Sequence, residues 1–399
     1  MEANSITVTA EVNKQSVPAN KSIIYILALG VFGIITTEFG VIGILPQIAE
    51  HFHVTIAQAG WLLSAFALTI AFTGPFITLA AAGVNRKIAL AFVLVVFIIS
   101  NLLSAVAPSF WILLFARVLP AFFHPIFFSV AMATAALSAR PGEAPKAVSI
   151  VFSGVSIGTV LGVPVTVFFA DLFDWHAAFV VCSVLNLLAL TFLLKFLPSM
   201  PVKRKASFGS QVNILKQAKI WWNIATATLI IAGMSTSYGY MAEYLKEIIH
   251  MDGKAISLTM FLFGAAGVIG NLLVGRLLSR DMKRTVFTFF AALMIIQALL
   301  FVVSGYYYAA FLVTIVWGLI HTGGFLLGQT LITSAAPEAP EFGSSIFVSA
   351  GNLGFSLGSI IGGAAIDLVG VAKLPVISIG VLLVALLINV ISHTSSRTN

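Results

Sequence analysis

The sequence predicts an all-α integral membrane protein in which twelve transmembrane helices form two pseudo-symmetric six-helix bundles. Mean hydropathy is +1.06 and only 9% of the 399 residues are charged, which is too little polar surface for a soluble globule of this size. Twelve apolar runs approach the roughly 20 residues that a helix needs to cross a bilayer. A glycine pattern also recurs about 200 residues apart, which indicates an internal duplication.

The twelve predicted spans fall into two sets of six. The first bundle covers residues 22–199 and the second covers 220–393. A tail (1–21), a basic linker (200–219) and a short second tail (394–399) lie outside them. The predicted spans are 22–45, 59–82, 88–107, 110–137, 148–170, 177–199, 220–244, 255–278, 285–304, 307–334, 345–366 and 373–393.

The repeated glycine pattern lies in the fifth span of each half. It reads GVSIGTVLG at 154–162 and GFSLGSIIG at 354–362. In water each helical glycine costs about 1 kcal/mol relative to alanine, whereas in lipid small residues let a neighbouring helix approach closely. We therefore expect two packing faces, which we call the glycine ladders, formed by Gly154, Gly158, Gly162, Gly354, Gly358 and Gly362.

Basic residues predict the orientation in the membrane. Seventeen of the 21 Lys and Arg residues fall in the termini and on the loops of the same side, here called the near side, and three fall on the far side. This positive-inside bias predicts that both termini are cytoplasmic. The net charge of +7 follows from that topology, so it gives no reason to expect a nucleic-acid partner. The single Cys182 excludes an internal disulfide.

Several motifs resemble one transporter family. They are TTEFGVIGILPQIA (36–49), FARVLP (115–120), Gly-Val-Pro ending at Pro164, DWHAAF (174–179) and GNLGFSLGSIIGGAAIDLVG (351–370). Together they resemble the major facilitator superfamily, in particular its drug:proton antiporter branch of bacterial sugar, nucleoside and drug exporters. The resemblance implies that spans 1, 4, 7 and 10 line a central cavity. It also implies that span 5 packs on span 8, near Gly264, Gly267 and Gly270, and that span 11 packs on span 2.

One gating motif of the family is incomplete. The turn after span 2 has Thr78 where the family usually has glycine, and it lacks the usual aspartate. The equivalent turn after span 8 keeps Gly275, Arg280 and Asp281, so we expect the near-side latch to depend on the second half.

Ionisable residues inside the spans indicate the chemistry, because burying each one costs at least about 2.5 to 3.5 kcal/mol. Glu38 in span 1 and Arg117 in span 4 each lie seven residues from the far end of their span, so they are expected at one depth and able to pair. Opposed effects of burial and of a nearby cation make a carboxylate a good proton switch. We interpret the two as a proton-coupling site; a structural ion pair is the alternative.

Aromatic and histidine side chains on spans 4, 7 and 10 predict the substrate contacts. His124 could titrate, bind substrate or be satisfied by a neighbouring helix, and Glu243 is a further candidate for titration. The predicted contacts are His124, Phe128, Tyr238, Tyr240, Trp317, His321 and Phe325.

These features predict a proton-coupled antiporter, in the inner membrane, that exports a sugar, nucleoside or amphiphilic drug by alternating access. A proton-driven importer is the main alternative, and a transport-inactive sensor or a channel is another. The sequence lacks metal-ligand spacing, a Ser-His-Asp set and a phosphate-binding loop, which argues against an enzyme or direct use of ATP. No cofactor or metal is expected; the expected partners of the monomer are protons, one small molecule and lipid.

Overall fold

The computed structural model of the protein describes residues 21–81, 83–140, 143–202, 215–336 and 340–395. In these ranges the regular structure is entirely helical. The predicted tail lies outside them except for Lys21, and the same is true of most of the predicted linker. We keep the span numbers 1 to 12 for the observed helices.

The first bundle contains spans 1 to 6, and three of them are interrupted. Span 1 has a tight 3-10 turn between two helices, span 4 has a break at residues 122–123, and span 5 has a wide π-helical turn. The spans are Lys21–Gly40, Val41–Ile44 and Leu45–Phe52 (span 1), Trp61–Ala81 (2), Arg86–Ala105 (3), Phe110–Ala121 and His124–Leu137 (4), Ala144–Ile157, Gly158–Gly162 and Val163–Leu172 (5), and Trp175–Phe196 (6).

The second bundle repeats this arrangement with spans 7 to 12. Spans 7 and 10 are interrupted, as are their counterparts, spans 1 and 4. The spans are Ala218–Tyr238 and Met241–Glu247 (7), Gly253–Arg280 (8), Met282–Val302 (9), Tyr307–His321 and Gly323–Ala335 (10), Pro340–Val369 (11) and Leu374–Ser395 (12).

The predicted twelve-helix architecture is confirmed. Eleven helices in the described ranges are long and apolar enough to cross a membrane. The twelfth, Ala218–Tyr238, is 21 residues long and less apolar because it carries buried polar side chains, among them Asn223, Thr226, Ser235 and Ser237. Such a helix is stable in a bilayer when other helices surround it.

The first glycine ladder packs against span 1 of its own bundle, not against span 8 as predicted. A Cβ atom on Gly158 would lie 2.6 Å from Cγ2 of Ile35, and one on Gly162 would lie 2.6 Å from Oγ1 of Thr36. A Cβ atom on Gly154 would meet the carbonyl oxygen of Ala28. The backbones of spans 1 and 5 therefore approach too closely for any side chain between them.

The second ladder packs in the same way against span 7, not against span 2. Gly354 and Gly358 face the carbonyl oxygens of Thr228 and Ala232. A Cβ atom on Gly362 would lie 2.6 Å from the carbonyl oxygen of Thr236. Thr228, Ala232 and Thr236 lie 200 positions after Ala28, Phe32 and Thr36, which the first ladder faces. The ladders are therefore one packing device used twice, inside each bundle.

The predicted pairings of span 5 with span 8 and of span 11 with span 2 are present, but the ladder glycines do not make them. Val160 packs against Gly264, and Ser257 donates a hydrogen bond of 3.0 Å to the carbonyl oxygen of Pro164. Gly267 and Gly270 face span 10 instead. A glycine presents one open face, and in the ladders that face is already filled by span 1 or span 7.

The two bundles are closed against each other on the far side. One continuous apolar core joins the far-side half of the first bundle to the second bundle, whereas the near-side half of the first bundle has a core of its own. Ser359 of span 11 donates a hydrogen bond of 3.2 Å to the carbonyl oxygen of Gly60 in span 2. The hydroxyl group of Tyr240 packs against Gly60 and donates a hydrogen bond of 2.7 Å to the carbonyl oxygen of Ser359 within the second bundle. An exposed ion pair of 3.6 Å joins Lys246 to Glu50. The far side is therefore the closed side of this conformation.

Gly158→Leu is expected to destabilise the bundle itself. The side chain would collide with Ile35, and overpacking of this kind costs about 3 kcal/mol or more. Thermal unfolding of the purified protein in detergent measures the effect. Gly380→Leu is the matched control, because no atom lies within 4 Å of a Cβ placed on that transmembrane glycine. Equal melting temperatures for the two variants would contradict the packing role of the ladder.

Ser359→Ala is expected to weaken the far-side closure. The variant loses the hydrogen bond that joins span 11 to the carbonyl oxygen of Gly60 in span 2, worth about 1 kcal/mol, so the far-side-open population should rise about fivefold. Distances between spin labels on far-side loops measure that population. Ser279→Ala, at an exposed serine on the near side, serves as the control. An unchanged distance distribution in Ser359→Ala would refute the closing role.

Candidate functional site

Glu38 lies near the end of the first helix of span 1, three residues before the 3-10 turn at Val41–Ile44 begins. Its side chain is only 11% exposed, and its Oε2 atom lies 3.2 Å from Nε2 of His124. The contact is close but not aligned as a hydrogen bond. The carboxylate of span 1 therefore has a titratable partner on span 4.

His124 is the first residue of the second helix of span 4. Pro120 and Pro125 flank the break in front of it, and proline favours such breaks because it lacks an N–H group and restricts the preceding residue. The imidazole is buried and stacks on Phe128 at a ring distance of 4.6 Å. The predicted juxtaposition of His124 and Phe128 on one helix face is confirmed.

Arg117 does not pair with the carboxylate of Glu38, contrary to the prediction. Its Nη1 atom donates to the carbonyl oxygen of Thr37, and its Nη2 atom donates to that of Glu38 at 3.1 Å. The guanidinium also lies 5.0 Å from the centre of the Phe66 ring. These carbonyls are at the C-terminal end of a helix, where acceptors lose their helical donors and the helix dipole favours a cation. The predicted common depth of the two residues is confirmed, but their contact is through the backbone.

A buried amide network that the sequence analysis missed supports the same part of span 1. The Nδ2 atom of Asn101 in span 3 donates to Oγ1 of Thr37 at 3.0 Å, and that of Asn186 in span 6 donates to the same atom at 3.1 Å. Asn186 also donates to the carbonyl oxygen of Gly33. Two asparagines within otherwise apolar spans were the available signal, since buried amides in membranes need partners.

A second cluster brings together four predicted residues. The ring of His321 lies 4.8 Å from Tyr238, 5.5 Å from Trp317 and 6.3 Å from Phe325. Phe263 of span 8, which the sequence analysis did not single out, lies 5.4 Å from the same imidazole. The cluster thus joins spans 7, 8 and 10 with aromatic side chains.

The remaining predicted residues lie elsewhere. Tyr240 belongs to the far-side closure, and its substrate role remains a prediction. Asp281 is exposed and caps the N-terminus of span 9, where it accepts a hydrogen bond of 2.9 Å from the backbone N–H of Arg284. Arg280 is exposed beside it, and a Cβ atom on Gly275 would meet Leu326 of span 10. Their latch role also remains a prediction, because this conformation is closed on the opposite side.

Comparisons with known proteins give the same architecture. The family model described as Major Facilitator Superfamily matches residues 27–359 and 223–397. A probable sugar efflux transporter of Helicobacter pylori (strain G27) is 30% identical over 350 residues, covering 87% of this chain and 89% of the relative.

Inner membrane transport protein YdhP of Escherichia coli (strain K12) is 30% identical over 341 residues, covering 86% of this chain and 88% of the relative. The crystal structure of a bacterial homologue of the human lysosomal transporter Spinster, in an inward-facing and unoccupied conformation, has a TM-score of 0.73 at 16% identity. That likeness covers 93% of this chain and 94% of the other. On the matched residues and the two-bundle fold, the chain belongs to the major facilitator superfamily and is a multi-pass membrane transporter.

Proposed function

We propose that this transporter is a proton-coupled antiporter that exports a small organic molecule across the inner membrane, with both termini in the cytoplasm. The observation that carries the proposal is the buried contact between the Glu38 carboxylate and the His124 imidazole. Both groups can take up or release a proton, and the helices that hold them are interrupted at or next to these residues. The protein acts as a monomer in this proposal.

The surroundings of Glu38 favour switching over simple bracing. The permanent cation Arg117 is engaged with backbone carbonyls and not with the carboxylate of Glu38. The partner of the carboxylate is a histidine, whose charge changes near neutral pH in ordinary surroundings. Protonation at this site would therefore alter the contact between spans 1 and 4, and so bias the two conformations of an alternating-access cycle.

The second cluster supports different roles for the two bundles. The residues around His321 are aromatic and hold no carboxylate in ring contact with it, which suits an uncharged or weakly polar substrate. We assign proton binding to the first bundle and substrate contact mainly to the second. The relative from Helicobacter pylori is named a probable sugar efflux transporter, which supports export of a small molecule here.

Glu38→Gln is expected to abolish proton-driven accumulation while substrate exchange continues. The amide keeps the size of the side chain but cannot release a proton. Transport into proteoliposomes, with and without an imposed pH gradient, measures both modes. Glu247→Gln, at an exposed glutamate of span 7, is the control. Uphill transport by folded Glu38→Gln protein would refute the coupling role, and accumulation driven in the same direction as the protons would favour the importer.

Arg117→Gln is expected to destabilise the protein. The variant loses two charge-assisted hydrogen bonds to span 1, with a combined cost of about 3 kcal/mol. Thermal unfolding in detergent measures the loss, with exposed Arg276→Gln as the control. If Arg117→Gln had the same melting temperature as the parent and changed only the pH profile of transport, Arg117 would be a direct member of the proton site.

A further inference from the structure

Two histidines occupy equivalent positions in the two bundles. His321 follows His124 by 197 positions, and both lie at the interruption in the fourth span of their bundle. The same offset relates Phe66 to Phe263 and Phe128 to Phe325. We call the set Phe66, His124 and Phe128 the first cage, and Phe263, His321 and Phe325, together with Tyr238 and Trp317, the second cage.

The same ring contacts recur in the two cages, with different distances and angles. In the first cage the His124 ring lies 6.2 Å from Phe66 and 4.6 Å from Phe128. In the second cage the His321 ring lies 5.4 Å from Phe263 and 6.3 Å from Phe325. Each histidine thus contacts one phenylalanine from the second span of its bundle and one from its own span. The duplication has preserved a histidine site, not only the helix order.

The cages differ in the residue that the first span of each bundle contributes. The offset of 200 that relates the ladder contacts of spans 1 and 7 places Tyr238 opposite Glu38. Glu38 approaches His124 with a carboxylate at 3.2 Å, whereas Tyr238 approaches His321 with its ring at 4.8 Å. Among the described residues no acidic side chain lies within salt-bridge distance of His321. The second cage is therefore the uncharged copy.

The second cage also has polar atoms without partners. Trp317 and His321 are each only 2% exposed. Nε1 of Trp317 and Nδ1 of His321 are buried and make no hydrogen bond. Leaving such a buried group unpaired costs free energy that a bound molecule recovers by hydrogen bonding to it. Trp317 also borders a small cavity lined in part by Ser237 and Thr314, so one side of it has space.

We propose that the second cage binds a neutral, hydroxyl-bearing ring of the transported molecule. Aromatic faces stack on the apolar face of such a ring, and the free N–H of Trp317 donates to a hydroxyl or ether oxygen at its edge. A cation finds no carboxylate in this cage, and an anion finds no lysine or arginine in it. Tyr238, Phe263 and Trp317 belong to the apolar core that joins the bundles on the far side, and in this proposal the cage opens when the bundles separate there. This inference rests on the proposed transport function and names its substrate class.

Binding to the full-length protein in detergent tests the proposal. The neutral probes are methyl β-glucopyranoside and uridine; the charged probes are glucuronate, uridine monophosphate and the planar cation ethidium. We expect at least one neutral probe to bind at least tenfold more tightly than its charged counterpart, and which one does so separates sugars from nucleosides. Tighter binding of the charged probes, or no binding of either neutral probe, would overturn the proposal.

Trp317→Phe tests the site within the protein. The variant keeps an aromatic ring but loses the N–H donor, so affinity for the neutral probe should fall about tenfold. Trp111→Phe is the matched control, because that tryptophan is 63% exposed and lies outside both cages. Each variant is first compared with the parent by thermal unfolding. Unchanged affinity in folded Trp317→Phe protein would overturn the assignment of the site.

Tyr238→Glu tests the comparison between the cages. It gives the second cage the carboxylate that the first cage has, so affinity for the neutral probe should fall more than tenfold while ethidium gains affinity. Tyr238→Phe should lower the affinity for the neutral probe less than Tyr238→Glu does. Equal effects of the two substitutions, or no gain for ethidium, would refute the equivalence of the cages.

Binding in detergent needs no proton gradient, so the two proposals fail separately. A protein that binds the neutral probe through Trp317 but shows no proton-driven transport would refute only the proposed function. A protein that couples protons to transport but does not bind neutral rings would refute only this inference.

Discussion

The candidate site depends on how the protein ends an α-helix in the middle of the membrane. The first helix of span 1 stops at Gly40, and its last carbonyl groups have no water to bind at that depth. Arg117 donates to two of them, and Thr166 of span 5 donates to the carbonyl oxygen of Gly40 at 3.0 Å. Because these donors hold the end of the helix, Glu38 is presented at a defined place beside His124.

The same interruption explains why several polar residues gather around one turn of span 1. Thr37 accepts hydrogen bonds from Asn101 and Asn186, so spans 3 and 6 are tied to span 1 at the level of the guanidinium. The glycine ladder of span 5 brings the fifth helix against span 1 from another side. A buried charge is tolerated here because its hydrogen-bonding partners are held rigidly, which is the condition for a stable buried ion in lipid.

The two bundles correspond in structure and differ at one chemical contact. Their helix order, the interruptions of their first and fourth spans and their ladder contacts correspond, and so do the phenylalanines around His124 and His321. One residue in the first span of each bundle differs in chemistry, a carboxylate in one and a phenol in the other. A proton site requires a group that changes charge, whereas a site for a neutral ring requires aromatic faces and unpaired donors. Under the two proposals, this one difference would separate the two roles.

The sequence by itself determined the membrane character, the twelve spans, the duplication and most of the residues near the two histidines. These features follow from local composition, because lipid forces backbone polar groups into helices and makes each buried ionisable group conspicuous. Only the tertiary structure decided the partners. It paired Glu38 with His124 and not with Arg117, turned the glycine ladders toward spans 1 and 7, and placed Tyr240 in the far-side closure. The physical reason is that depth along a helix can be counted from sequence, whereas the rotation of each helix about its axis is set by packing against all its neighbours at once.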